Sequence, residues 1–295
     1  MKITSFIVAA CGLFALTSCS KESITTEQIA PFTNVSFIED ENEDGNTEVP
    51  TYDFDEAIID HVSNHSLDFT SVEEVSINRP DGTTETMYRI DGDIDLTKVQ
   101  LNEFMDMDAR GEKQYSTDNL VSKSVINVLG FSFGPYGLTN KMKVALTRAV
   151  ANYNALNTNK TFVLSFGGGQ SAADIIVYRN ALNNNLGGSA QFPNFGNPGR
   201  FIEIFAGMET LNLNTNEHLM THEMGHTMGL RHTDWFSRQS CGQNVNEGPD
   251  GIGVNYIPGT PFGFDPNSVM RACFVPNGED GEFGFYDRVA LEFLY

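Results

Sequence analysis

The run His222-Glu223-Met224-Gly225-His226-Thr227-Met228-Gly229-Leu230-Arg231-His232 constrains this chain more than any other feature. Two histidines four residues apart on a helix lie on one face, so their imidazoles can share one metal ion. A helix should therefore run through 222–226. Glycine tolerates the left-handed conformation of a helix C-terminal cap, so Gly229 is where that helix should stop. The chain can then turn back and bring His232 to the same point as a third ligand. Three imidazoles leave one position of a four-coordinate zinc for water, the pattern of a catalytic rather than a structural site. Glu223 stands beside the first ligand, where a carboxylate can reach that water. Asn214 with Glu217 reads as a cap and its capping partner, which would start the helix one turn earlier.

An alternative register pairs His218 with His222. It puts Leu219 where the carboxylate should be and offers no third histidine at the right distance. His218 therefore reads as a helix-surface residue, or as one that supports a ligand from behind. His61 and His65 have no partner pattern and read as surface histidines.

The beginning of the chain reads as an address. Ile3–Leu16 is mostly apolar, the length of a signal-peptide core and too short to span a bilayer. Leu16-Thr17-Ser18-Cys19 resembles a bacterial lipobox, in which cleavage leaves the cysteine first and acyl chains anchor it. Residues 1–18 would then be a lipoprotein signal peptide. Residues 19–50 contain Glu39-Asp40-Glu41-Asn42-Glu43-Asp44-Gly45 and read as an acidic, flexible tether. Asp40, Asn42, Asp44 and Gly45 fit the opening of a calcium loop, but position twelve is Thr51 rather than glutamate, which excludes it. The exported protein is expected on a bacterial outer membrane, at its periplasmic face or the cell surface, held only by the lipid. Export also fits the cysteines. Cys241 and Cys273 remain as an even pair in an oxidising compartment, so a disulfide between them is the default.

Charge excludes one class of partner. The chain has 18 basic and 39 acidic residues, net -21, and a nucleic-acid backbone needs a basic footprint. The acidity is concentrated: residues 20–110 carry 23 acidic and 5 basic side chains, and 111–295 carry 16 and 12. With the polar Arg110-Gly111-Glu112-Lys113, this contrast suggests a boundary. Residues 51–112 then form a small α+β unit, with a helix over 52–63 and strands at Val75–Ile77 and Met87–Ile90 around Pro80-Asp81-Gly82. Residues 113–295 form the larger domain. There, Ser124–Leu129, Thr161–Phe166, Asp174–Tyr178 and Arg200–Phe205 read as strands. Thr139 caps a helix to about Asn157 with the stripe Met142, Leu146, Ala149, Val150 and Tyr153. Residues 183–199, rich in Asn, Gly and Pro, read as loop. A last helix is expected around Asp287–Leu294.

The long three-histidine motif, with Ser268-Val269-Met270 following it, resembles the metzincin zinc peptidases and their methionine turn. A narrower likeness runs from His222 to Trp235. It is similar to the dual-action HEIGH metallopeptidases, with Met224 where that name has isoleucine. Pro258-Gly259-Thr260-Pro261, Asp265–Met270 and Tyr286-Asp287 extend it. The resemblance implies an α+β, metzincin-like catalytic domain: a mixed twisted sheet, an active-site helix, a methionine turn and a C-terminal helix. It implies one zinc per chain on His222, His226 and His232, with Glu223 catalytic and Met270 as a floor beneath the imidazoles. It also implies endopeptidase activity on protein or peptide substrates, which would bind along strand 200–205 as the sheet's upper edge; separately, the chain is expected to be a monomer. Where some metzincins carry a tyrosine ligand two residues after the methionine, this chain has Ala272. Asp234, two residues past the last ligand, either orients a ligand histidine or ties down the chain behind it.

The unit before residue 113 has two readings. It is a spacer, or a pro-segment whose carboxylate (Asp106 and Asp108 lie nearest the link) takes the place of the water on zinc. Two further classes of function stay open: a lipid-anchored zinc module that binds without turnover, and a zinc hydrolase acting on a non-peptide substrate.

Overall fold

The computed structural model describes residues 72–90, 92–98, 100, 116–247, 255–261 and 263–295, all within one compact unit, Phe54–Tyr295. Cys19, the acidic tether, the 52–63 segment with His61 and His65, Asp106, Asp108 and the 110–113 break lie outside the described residues. Among the described residues, no helix is long and apolar enough to cross a membrane.

The architecture is α+β, an eight-stranded mixed sheet with helices on one face. The strands are β1 (Val72–Asn78), β2 (Thr84–Ile90), β3 (Ile94–Leu96), β4 (Val125–Phe131), β5 (Thr161–Gly167), β6 (Ile175–Asn180), β7 (Gly188–Gln191) and β8 (Phe201–Phe205). Their order across the sheet is β1-β2-β3-β7-β8-β6-β4-β5. β4, β5, β6 and β8 run parallel to one another, whereas β7 is antiparallel to β8. The alternation of apolar side chains explains how two faces are covered. Ile126, Val128, Ile175 and Val177 join the core under the helices, while Leu129, Phe131, Ile176 and Tyr178 pack on the opposite face.

Helix α1 (Asn140–Asn154) begins where the sequence places it, with the Thr139 side chain accepting from the Met142 amide. Its stripe of Met142, Leu146, Ala149, Val150 and Tyr153 is buried against the sheet and against α2 (Leu213–Thr227). α2 starts earlier than its sequence suggests: Asn212, not Asn214, is the cap, its Oδ1 accepting from the Thr215 amide at 2.8 Å. Glu217 instead pairs with Arg148 at 3.0 Å. Helix α3 (Phe285–Leu294) closes the chain.

Two expectations about the sheet are corrected. The 183–199 segment is not all loop, because Gly188–Gln191 forms β7, a short strand held by pairing on both sides. Strand β8 is not an edge; it lies between β6 and β7. The strand beside the active-site helix whose edge faces away from the parallel core is β7, and β3 is paired to it, Ile94 opposite Ala190.

The strands read as part of a separate N-terminal unit extend this same sheet. β1 and β2 form the expected hairpin, with Asp81 Oδ1 accepting from the Thr83 amide and hydroxyl across its turn. β3 then carries the hairpin onto β7. The charge contrast near residue 110 does not mark an edge of the sheet, because several of the charged residues before it turn inward. Arg89 and Asp95 are buried, and they pair with each other and with β8.

Cys241 and Cys273 form a disulfide with Cα atoms 5.1 Å apart. The bridge spans 32 residues, so the chain-entropy model gives it about 3–4 kcal/mol. Denaturant unfolding of the Cys241→Ser/Cys273→Ser double variant should show a loss of that size. A loss under about 1 kcal/mol would mean that the loop stays ordered without the bridge.

Candidate metal centre

The metal centre is built at the C-terminal end of α2. Gly229 adopts φ +92°, its amide bonds back to the His226 carbonyl, and the Leu230 amide bonds to the Gly225 carbonyl. This double closure is the Schellman motif that a glycine at this position permits. The reversal aims the Leu230 carbonyl at His226 Nδ1, 2.8 Å away, and starts the return that delivers His232.

Each imidazole is oriented through its Nδ1. That of His222 donates to the Val269 carbonyl at 2.9 Å, that of His226 to Leu230, and that of His232 to Glu247 Oε1 at 2.8 Å. A carbonyl oxygen can only accept, so His222 and His226 carry their protons on Nδ1. Their Nε2 lone pairs then face each other at 3.0 Å. Two lone pairs at that distance repel unless a cation lies between them, and His232 Nε2 converges on the same point. One donor atom from each of His222, His226, His232 and Asp93 lies within 4.8 Å of all the others. Neutral imidazoles with their second nitrogen held by a hydrogen bond are the donor set that zinc prefers. The residues fit the ion.

Glu223 lies under this cluster, fully buried, and among the described residues neither of its oxygens has a hydrogen-bond partner. Burial first, and then the charge of Asp93, hold its carboxyl well above the usual range. Gly188 of β7 is what allows the approach: a Cβ there would stand 3.0 Å from Glu223 Oε1 and 2.7 Å from the Glu203 carbonyl.

The expected methionine turn, Ser268–Met270, packs against α2. Met270 is buried, with its sulfur against Gly225 of α2. The turn is tied to α3 by Asp287, which accepts from the Ser268 hydroxyl, from the Val269 amide at 2.8 Å and from the Gly284 amide at 2.9 Å. Burial outweighs these bonds and pushes the Asp287 carboxyl up to about 6. Because Val269 also holds His222, the C-terminal helix reaches the first ligand through two hydrogen bonds.

The structure thus brings together His222, Glu223, His226, His232 and Met270, and separates Asp234 from the ligands. Asp234 ties the chain: Oδ2 accepts from the Ser240 amide and hydroxyl, and Oδ1 from the Ala272 amide. The residue that holds His232 is Glu247, which bridges His232 and Arg238. His218 is not on the surface. It is 3% exposed beside Glu279 and Phe274, and burial pushes its imidazole down to about 3. Asp93 was not a candidate from the sequence. Its Oδ2 lies 3.1 Å from His232 Nε2 and 3.8 Å from His222 Nε2.

Residues 88–295 match the family model of the dual-action HEIGH metallo-peptidases. The chain belongs to this family. The match begins in β2 and includes Asp93 along with the three histidines. No curated protein matches the chain. Among solved structures, one of myroilysin aligns with a TM-score of 0.38 and 14% identity, covering 58% of this chain and 80% of that one. A crystal structure of myroilysin aligns at 0.39 and 12% identity, covering 60% and 86%.

In this metallopeptidase the support from Glu247 is testable apart from turnover. Partners that orient a metal-bound histidine typically contribute 10–100-fold in affinity, so Glu247→Ala should weaken zinc binding by about that factor. Competition with a chromophoric chelator measures it. An unchanged affinity would mean that packing alone orients His232.

Proposed function

We propose that the chain is a zinc-dependent endopeptidase of the metzincin type, cleaving extended protein or peptide substrates. The observation that carries this is the convergence of the His222, His226 and His232 Nε2 atoms beside a buried, unpartnered carboxylate. His222, His226 and His232 would hold the ion. What zinc supplies when bound is Lewis acidity, which polarises a scissile carbonyl and makes a water acidic near neutral pH.

The chain's own residues do the rest. Glu223 takes the proton of the attacking water on a carboxylate oxygen and passes it to the leaving amine. The raised basicity that burial gives this carboxyl suits both transfers. Met270 does no chemistry; its thioether packs beneath the imidazoles and fixes their height. An extended substrate would add by main-chain hydrogen bonds to the side of β7 that β3 pairs with in this structure, since β8 is interior. The cleft beside β7 is lined by Leu186, Gly188, His222, Glu223, Arg271 and Ala272. Export and acylation at Cys19 would place this activity on the outer membrane, as a monomer held by its lipid.

The test uses a mixed peptide library with and without a chelator. Internal cleavage that stops on chelation and returns with about one zinc per chain is the expected result. His226→Ala should lose both the metal and the cleavage. Zinc binding without hydrolysis of any peptide, in a form with its metal accessible, would leave a binding module or a hydrolase of another substrate class.

A further inference from the structure

We propose that His218 and Arg271 form the floor of a substrate pocket one helical turn from the first metal ligand, and that this floor selects a side chain ending in a neutral carboxamide, as in glutamine. The inference rests on the zinc-peptidase reading and adds a substrate preference to it.

The first support is position. The cleft that holds His222 and Glu223 has a volume of about 300 Å3 and is also lined by His218, Leu219, Arg271 and Phe274. His218 lies four residues before His222 on α2, so the two side chains share a face, with Cβ atoms about 5–6 Å apart. A side chain flanking the scissile bond therefore comes within reach of His218 when the peptide carbonyl is at the metal. The walls here are apolar, made by Leu186, Phe205, Leu219, Phe274 and Pro276. They suit the methylenes of a side-chain stem, with the polar groups left to fix its end.

The second support is the hydrogen-bonding pattern of the floor. Arg271 is fixed in place: Nε donates to the Ser268 carbonyl at 3.1 Å, and Nη2 donates to both oxygens of Glu279 at 2.6 and 2.7 Å. Its Nη1 makes no bond among the described residues, so a donor is left over. His218 is buried and neutral. Its Nδ1 faces Glu279 Oε2 at 3.6 Å. A carboxylate repels a lone pair there, which places the proton on Nδ1 and leaves Nε2 an acceptor. That Nε2 has no partner among the described residues, and a buried acceptor without a donor is costly. The floor thus lacks one acceptor and one donor. A carboxamide supplies both: its oxygen accepts from Arg271 and its nitrogen donates to His218. A carboxylate cannot donate, and Glu279 already offsets the Arg271 charge that would attract it. A lysine ammonium cannot accept from Arg271 and meets a like charge.

The third support is what lies behind the floor. A second cavity of about 250 Å3 is lined by the same His218 and Arg271, and also by Glu279, Asp280 and Glu282. The two side chains stand as a partition between a cleft with apolar walls and a space rich in carboxylates. With the partition in place, a long basic side chain is stopped short of those carboxylates.

The test uses the zinc-loaded full-length chain and four peptide hydroxamates. They differ only in the side chain next to the chelating group: glutamine, glutamate, leucine or lysine. The hydroxamate holds the metal in all four, so affinity ratios within one form of the chain isolate the pocket; calorimetry measures them. The glutamine probe should bind at least about tenfold more tightly than the other three, the effect of a hydrogen bond from a charged donor. Arg271→Met should remove that preference. His218→Phe, which keeps a ring in the wall but no acceptor, should reduce it. His218→Ala opens the partition and should favour the lysine probe over leucine by about tenfold relative to the unmutated chain. Equal affinities in the unmutated chain, or a lead for any other probe, overturn the proposal. So does a glutamine preference that survives Arg271→Met. Binding does not depend on turnover. If the glutamine probe leads but no peptide is cut by any form, the pocket stands and the peptidase reading fails. If none of the four probes binds, both fail.

Discussion

Glu223→Gln is expected to keep zinc and fold while lowering peptide hydrolysis by about 10²- to 10⁴-fold, compared with the same form of the chain carrying glutamate. Glutamine has the shape of glutamate, so the narrow gap over Gly188 admits it without displacing β7. Its amide oxygen cannot accept a proton and pass it on, so only the proton transfers are lost. Folding should not suffer. The glutamate is buried without a partner among the described residues, and a neutral amide is cheaper to bury than a charge. Zinc content by metal analysis, thermal unfolding and the hydrolysis rate separate the three effects. A variant within a few-fold of its parent's rate would assign the base to another group. A variant that loses zinc would show that Glu223 positions His222 rather than acting on water.

The features legible in the sequence are those encoded over short distances. The ligand helix, its stop at Gly229 and the return to His232 span eleven residues, and each step follows from local geometry. The strands with β-branched or aromatic alternation, such as Val125–Phe131, could be placed for the same reason. The N-cap was misplaced by two residues because Asn212, Asn214 and Asn216 alternate, and each is a plausible cap. His218 does not lie on a helix surface because α2 is buried on all sides, from Thr215 to Thr227. A helix without a solvent face gives no stripe from which to tell inward residues from outward ones.

Other parts were hidden because their cause lies far along the chain. β7 is four residues of Gly, Ser, Ala and Gln, with no intrinsic strand preference; its neighbours β3 and β8 hold it extended. Glu247 sits in a Gly- and Asn-rich loop fifteen residues from His232, with nothing in its local pattern to mark it. Asp93 is one of 23 acidic residues between 20 and 110. The acidity that makes residues 51–112 read as a unit apart from the larger domain hides the one carboxylate that joins the histidines. Only the pairing of β3 with β7 singles it out.

The same pairing makes Arg89 a second sensitive point. Arg89→Met should destabilise the β1–β3 hairpin by about 3–5 kcal/mol, because it leaves Asp95 and Glu203 buried without their cation. Burial alone would lower the arginine pKa, but Asp95 and then Glu203 outweigh it and hold the guanidinium firmly charged. The two carboxylates keep only neutral donors in the variant, the Ser189 hydroxyl on Asp95 and the Asn180 amide on Glu203. If charge is the cause, neutralising the survivors should reverse much of the loss. Arg89→Met with Asp95→Asn and Glu203→Gln is expected to recover more than half of it, whereas a loss of packing would persist. Hydrogen exchange of the β2 and β3 amides measures the local effect and denaturant unfolding the global one. Faster exchange confined to the hairpin would mean that it can detach while the rest of the sheet remains folded. A loss spread evenly over β4, β6 and β8 would make the hairpin an inseparable part of the core, and its removal would then cost the chain its fold.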